Sequence, residues 1–243
     1  PKKRRKKKGK ELGESRWHGM LYVTPWMIGL LVFTLYPIIA SFYLSFTKYD
    51  LVSAPRFVGL DNYIRMFKDP VFLKAMSVTF QYVVWEVPLK LAFSLFVAMI
   101  LNMKLRGINF FRTAYYIPSI LGSNVAIAVL WKFLFQSNGL VNQIIGVFGG
   151  QPVGWFGEQF PALFTIVLLR VWEFGSTMVI FLAALKGLPQ DVYEAASVDG
   201  CTRAKQFFKI TIPLLSPTIF FNFVMQLIHA FQEFNAPYLI TKG

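Results

Sequence analysis

Long stretches that are apolar on every side alternate along this chain with shorter ones rich in charge, glycine and proline. A helix in a water-soluble core keeps a polar face, whereas about 20 consecutive apolar residues are what crossing a bilayer requires. The pattern predicts spans at about 20–46, 77–103, 108–135, 160–185 and 212–234. Trp17, Tyr22 and Trp26 stand at the head of the first, where amphipathic rings favour the headgroup zone, and Pro25 and Pro37 are expected to kink it. The polar stretch 47–76 alternates Phe, Leu and charge enough to predict short interfacial helices. The expected fold class is all-α, a polytopic transmembrane helical bundle of at least five spans.

Charge orients these spans. Residues 104–112 hold Lys104, Arg106 and Arg112 with no acid, while residues 136–159 hold no Lys or Arg. Cytoplasmic loops carry the excess of basic residues, so 104–112 and 186–209 are expected inside and 136–159 outside. The stretch 47–76 breaks the rule, with Lys48, Arg56, Arg65, Lys68 and Lys74 against three aspartates, and the other loops outvote it. Nine of the 25 basic residues lie in the first sixteen positions, so residues 1–18 read as a basic cytoplasmic tail and 19–243 as the transmembrane domain. Beside a span, such a tail contacts anionic lipid and sets topology. A nucleic-acid partner is not expected.

Composition agrees: 55% of the residues are hydrophobic, 15% are charged, and the mean hydropathy is +0.50. Cys201 is the only cysteine and His18 and His229 the only imidazoles, which excludes an intrachain disulfide and leaves no metal site to expect. No short apolar run is joined to a small-residue cleavage site, so a removable secretory signal is not expected.

The inner loop 187–213 differs from the others in carrying helix signals on both sides of a turn. Pro189 suits a first helical turn, Asp191 and Glu194 suit the positive helix end, and Asp199-Gly200 supplies a stop, which predicts a helix at about 190–198. Thr202 can cap a second helix, which Pro213 is expected to end or kink where the chain re-enters the membrane. Ala195, Ala196 and Gly200 leave little side chain on part of this hairpin, so another protein can approach its backbone.

Glu194-Ala195-Ala196, three residues, Gly200, nine residues, Ile210, one residue and Ile212-Pro213 resemble the EAA motif of binding-protein-dependent ABC importer permeases. Phe57 to Tyr63, Phe111-Arg112 through Pro118, and Gly139 with Asn142 resemble the carbohydrate branch of that family, the maltose and glycerol-phosphate type. The resemblance implies a permease subunit in the bacterial cytoplasmic membrane, multi-pass with its N-terminus in the cytoplasm. It makes the hairpin a coupling helix in which Glu194, Ala195, Ala196, Asp199 and Gly200 meet a partner ATPase. It also implies as partners a dimer of ATP-binding subunits, a second permease, usually a paralogue, an extracytoplasmic substrate-binding protein and a sugar. Such permeases usually have at least six spans, so the chain is expected to be cut short before a further one.

The last predicted span carries Asn222, Gln226, His229 and Glu233 at spacings of four, three and four, which sets all four on one helical face. Such a stripe faces the bundle interior or a wet path. These groups can hydrogen-bond sugar hydroxyls along a translocation path, or equally tie neighbouring spans together. Glu86 with Lys90, and Arg170 with Glu173, are spaced to pair on their own helices. No G-x-x-x-x-G-K-[ST] loop is present, so ATP-Mg is expected on the partner and no cofactor on this chain, and no hydrolase motif marks an enzyme. The alternative is an ion-gradient-driven secondary transporter or channel coupled through Glu86, Glu173, His229 and Glu233.

Overall fold

The structure is a computed structural model that describes residues 16–103, 107–121 and 125–242, with side chains from residue 19 onward. Most of the basic tail, together with Lys104 and Arg106, lies outside the described residues. Two compact units, 1–74 and 75–243, make up the chain.

In the first unit, α1 (Arg16–Leu30) continues through a π-helical turn at Leu31–Leu35 into α2 (Tyr36–Ser45). The π turn ends two residues before Pro37. Proline lacks an N–H and crowds the preceding turn, and the wider π turn accommodates both losses without ending the helix. Two short strands, β1 (Thr47–Lys48) and β2 (Arg56–Phe57), pair antiparallel, and α3 (Asp61–Lys68) follows the positive-φ Gly59. Asn62 Nδ2 donates to the carbonyls of Ser45 and Thr47 at 2.9 and 2.8 Å, and the Tyr63 hydroxyl lies 2.7 Å from Ser45 Oγ. The stretch from Phe57 to Tyr63 therefore clasps the end of α2.

The 33-residue α4 (Pro70–Asn102) starts seven positions before the span expected from residue 77. The second unit continues with α5 (Ile108–Leu121), α6 (Val125–Leu134), α7 (Leu140–Val147), α8 (Gln159–Trp172), α9 (Gly175–Lys186), α10 (Gln190–Val198), α11 (Arg203–Gln206), α12 (Ile212–Phe231) and α13 (Asn235–Thr241). Among the described residues three helices are long and apolar enough to cross a membrane: Gly19–Ser45, Pro70–Asn102 and Arg203–Phe231. The stretches expected as unbroken spans at 108–135 and 160–185 are each two helices instead, α5 with α6 and α8 with α9, the latter pair bent by 45°.

The α8–α9 break has a local cause. Glu173 caps α8, and at Gly175 a Cβ would stand 2.6 Å from the Tyr115 carbonyl oxygen and 2.9 Å from Tyr116 Cα, so only glycine lets α9 start this close to α5. Ser94 Oγ reaches the carbonyl of Phe174 at 3.3 Å, a second bond to a group that already accepts from Met178 N, and so ties α4 to the break. Two apolar clusters pack the unit, one around Val87, Ile166 and Leu169 and the other around Leu101, Met178, Phe181 and Leu215. Large apolar side chains such as Phe133 and Phe220 point outward, as they do when the solvent is lipid.

Asn142 organises the loop at 136–159. It is buried; its Nδ2 donates to the carbonyls of Ser137 and Val153, while Oδ1 accepts from Val153 N and Trp155 Nε1. Gly139 precedes α7 where a Cβ would collide with the Leu134 carbonyl.

Candidate functional site

The inner-loop helix forms where the local signals put it. α10 runs Gln190–Val198 and ends in a Schellman turn: Gly200 has φ +73°, its N–H reaches the Ser197 carbonyl at 3.1 Å, and Cys201 N–H reaches that of Ala196 at 2.9 Å. Glu194, Ala195, Asp199 and Gly200 are exposed and Ala196 is half-buried. Thr202 caps the next helix by accepting from Lys205 N at 3.4 Å. That helix does not end at Pro213. It passes through a π turn at Phe207–Thr211, again two residues ahead of a proline, and continues to Phe231. Two contacts tie α10 to its foot: Tyr193 Oη to Thr211 Oγ1 at 2.9 Å and Gln206 Nε2 to Ser197 Oγ at 3.0 Å.

Further along the same helix lies a polar cavity of about 670 Å³. Asn222, Gln226, His229 and Glu233 all line it. Glu233 reaches it from the turn after α12 and not from the helix itself, because α12 stops at Phe231 with Gln232 as its cap. α4 brings Tyr82, Glu86 and Lys90 to the cavity, α5 brings Ser119, and the α8–α9 break brings Arg170, Glu173, Ser176 and Thr177.

The two pairs legible from spacing form, Lys90 Nζ to Glu86 Oε1 at 3.4 Å and Arg170 Nη1 to Glu173 Oε2 at 2.6 Å. Two contacts between elements lay beyond sequence reasoning. Arg170 Nη2 also meets Glu233 Oε2 at 2.6 Å, and Gln226 Nε2 donates to Thr177 Oγ1 at 2.9 Å. A third acidic position in the apolar spans, after Glu86 and Glu173, was the available signal for the first, since a carboxylate at that depth needs a cation. Asn222 Nδ2 bonds the Thr218 carbonyl of its own helix at 3.1 Å. The stripe thus serves helix packing in part, and it also leaves capacity unused. Buried Glu86 Oε2, Glu173 Oε1, Gln226 Oε1 and Arg170 Nε find no hydrogen-bond partner among the described residues, and all four belong to cavity-lining residues. Unpaired polar atoms in a dry site are costly, so these four call for polar partners in the cavity.

Apolar helices around a polar, charge-paired cavity define a membrane-embedded transport subunit. The chain belongs to the family described as binding-protein-dependent transport system inner membrane component, which matches residues 90–243, and is the permease subunit of an ABC importer. It is 46% identical over 239 residues to the probable ABC transporter permease protein YesP of Bacillus subtilis, covering 98% of this chain and 77% of that protein. It is 36% identical to the lactose transport system permease protein LacF of Rhizobium radiobacter, covering 93% of this chain and 76% of that one. The trehalose/maltose transport system permease protein MalF of Thermococcus litoralis is 34% identical, with 93% and 77% covered. The fold is shared with a bacterial alginate ABC transporter solved in complex with an alginate pentasaccharide-bound periplasmic protein, at a TM-score of 0.72 and 22% identity over 93% of this chain and 79% of that one.

Proposed function

We propose that this permease carries a sugar or oligosaccharide into the bacterial cytoplasm, with α10 as the coupling helix and the cavity as part of the translocation path. The observation that carries the reading is the uninterrupted helix Arg203–Phe231. At its foot it is bonded to α10, and about 20 Å further along, at 1.5 Å per residue, it bears Asn222, Gln226 and His229 on the cavity wall. A push on α10 is therefore carried toward the cavity along one continuous helix. Glu194, Ala195, Ala196, Asp199 and Gly200 form the face that a dimer of ATP-binding subunits grips, with ATP-Mg held by that partner.

A sugar is the solute that the unpaired acceptors Glu86 Oε2, Glu173 Oε1 and Gln226 Oε1 suit, because its hydroxyls donate without bringing charge. The names of the lactose and trehalose/maltose relatives point the same way. An extracytoplasmic binding protein delivers the sugar, and a second permease, a paralogue by our reading, completes the pore. The bent pairs α5–α6 and α8–α9 each count as one crossing in this reading. That gives five spans with the N-terminus in the cytoplasm, residues 1–18 as the basic tail and 19–243 as the transmembrane domain. ATP and the sugar act by favouring different states of the wall, to the extent that their affinities for those states differ.

The test is uptake of labelled lactose, trehalose and maltose by proteoliposomes holding the full-length permease with its partner permease, ATPase and binding protein. Uptake is expected to require ATP, to lose its ATPase in Glu194→Arg and Gly200→Trp, and to show a higher half-saturation concentration in Gln226→Ala. Uptake that survives without ATP and stops with a proton uncoupler would refute the reading.

A further inference from the structure

Arg170 stands between two carboxylates from different parts of the chain. Nη1 donates to Glu173 Oε2 and Nη2 meets Glu233 Oε2, each at 2.6 Å. Both carboxylates sit at helix breaks. Glu173 caps α8 where the chain turns 45° into α9, and Glu233 lies between the end of α12 at Phe231 and the start of α13 at Asn235. Glu233 uses its other oxygen, Oε1, to accept the N–H of Ala236 at 2.9 Å, so one carboxylate both starts α13 and holds Arg170. The three side chains are only 10–13% exposed. A pair confined to α8 would serve that helix alone. The second carboxylate makes the arginine a bridge, and a planar guanidinium is the group suited to grip two carboxylates at once.

We propose that Arg170 is a positioning residue for transport: it clasps the α8–α9 break to the α12–α13 break, so that two walls of the cavity move as one piece while the clasp is closed. The proposal rests on the cavity being the transport path. With the clasp closed, a displacement brought along Arg203–Phe231 from α10 reaches α8 and α9 through Glu233 and Arg170. With it open, α12 keeps its tie to α9 through Gln226 and Thr177, but the end of α8 and the α12–α13 turn lose their shared charge contact, and ATP turnover is less closely matched by solute movement. Lys90 pairs with Glu86 on α4 and also acts on Glu173 across the cavity, and His229 and Tyr82 are the other titratable groups lining it, but among the described residues the ion pair of Glu233 is with Arg170.

The clasp is tested by hydrogen–deuterium exchange with mass spectrometry on the full-length permease in its assembled complex, comparing wild type with Arg170→Lys, Glu233→Gln and Glu173→Gln. Glu233→Gln and Glu173→Gln remove the same charge from the same arginine, and Glu233→Gln keeps an acceptor for Ala236. Glu233→Gln and Arg170→Lys are expected to raise exchange at 172–176 and at 232–236 together, whereas Glu173→Gln raises it at 172–176 alone. In proteoliposomes the maximal rate of lactose, trehalose or maltose uptake is expected to fall about tenfold in Glu233→Gln, a typical size for coupling between sites, with half-saturation unchanged and ATP hydrolysis retained. Unchanged exchange at 172–176 in Glu233→Gln overturns the clasp, as does an identical response in Glu173→Gln, which marks a local pair. Absence of ATP-driven uptake by the wild type overturns the transport-path reading beneath it, an outcome the exchange pattern does not produce.

Discussion

Replacing Gly175 by alanine puts one methyl group where two helices nearly touch. The new Cβ would lie 2.6 Å from the Tyr115 carbonyl oxygen, 2.9 Å from Ser119 Oγ and 2.9 Å from Tyr116 Cα, against 3.4 Å or more for ordinary contact. Two of the three obstacles are backbone atoms and cannot rotate away, so α5 and α9 must part by several tenths of an ångström. Overpacking of this kind costs about 1–3 kcal/mol. Alanine returns only a few tenths of the roughly 1 kcal/mol glycine penalty, because Gly175 is the first residue of its helix. At about 2–4 °C per kcal/mol for a chain of this size, the unfolding midpoint of the detergent-solubilised complex should fall by several degrees. Gly146→Ala is the control. It makes the same chemical change on α7, where a Cβ meets nothing within 4 Å, and should hold or raise the midpoint. A Gly175→Ala complex as stable as the Gly146→Ala one would refute the argument that close approach, and not turn geometry, demands glycine there.

Further expectations follow from the hydrogen bonds. Thr177→Val removes the acceptor for Gln226 Nε2 in a buried place and should destabilise by about 1–3 kcal/mol, while Thr177→Ser stays close to wild type in the same denaturation assay. Asn142→Ala cuts four bonds that fold residues 137–155, so limited proteolysis of that loop should accelerate at least tenfold, consistent with a loss of about 2 kcal/mol or more. Tyr193→Phe removes only the bond to Thr211. It should leave ATPase retention intact yet lower sugar uptake per ATP hydrolysed in proteoliposomes, and an unchanged ratio would count against α12 as the transmitting element.

The device shared by Pro37 and Pro213, in two of the three long helices, shows how sequence and structure divide the work. Pro37 and Pro213 are visible as potential breaks, and the expectation at Pro213 was an end or a kink. In each case a π turn two residues upstream absorbs the proline, and the helix runs on. For Pro213 this is decisive, since it is what joins the foot beside α10 to the cavity wall.

What the chain determined by itself is local. The start of α10 follows from Pro189 and Asp191 and its stop from the freedom of Gly200 at positive φ, and the Glu86–Lys90 and Arg170–Glu173 pairs follow from spacing on one helix face. The shared side of Asn222, Gln226 and His229 follows in the same way, because a helical turn sets those distances whatever surrounds it. Tertiary structure decided which of those groups meet. That Glu233 leaves the helix and still reaches Arg170, that Thr177 answers Gln226, and that α8 breaks from α9 against Tyr115 all depend on how helices far apart in the chain approach one another. In an apolar bundle many faces are equally hydrophobic, so the pattern along the chain cannot select their neighbours. The need to pair buried charges and to fit backbone against backbone does.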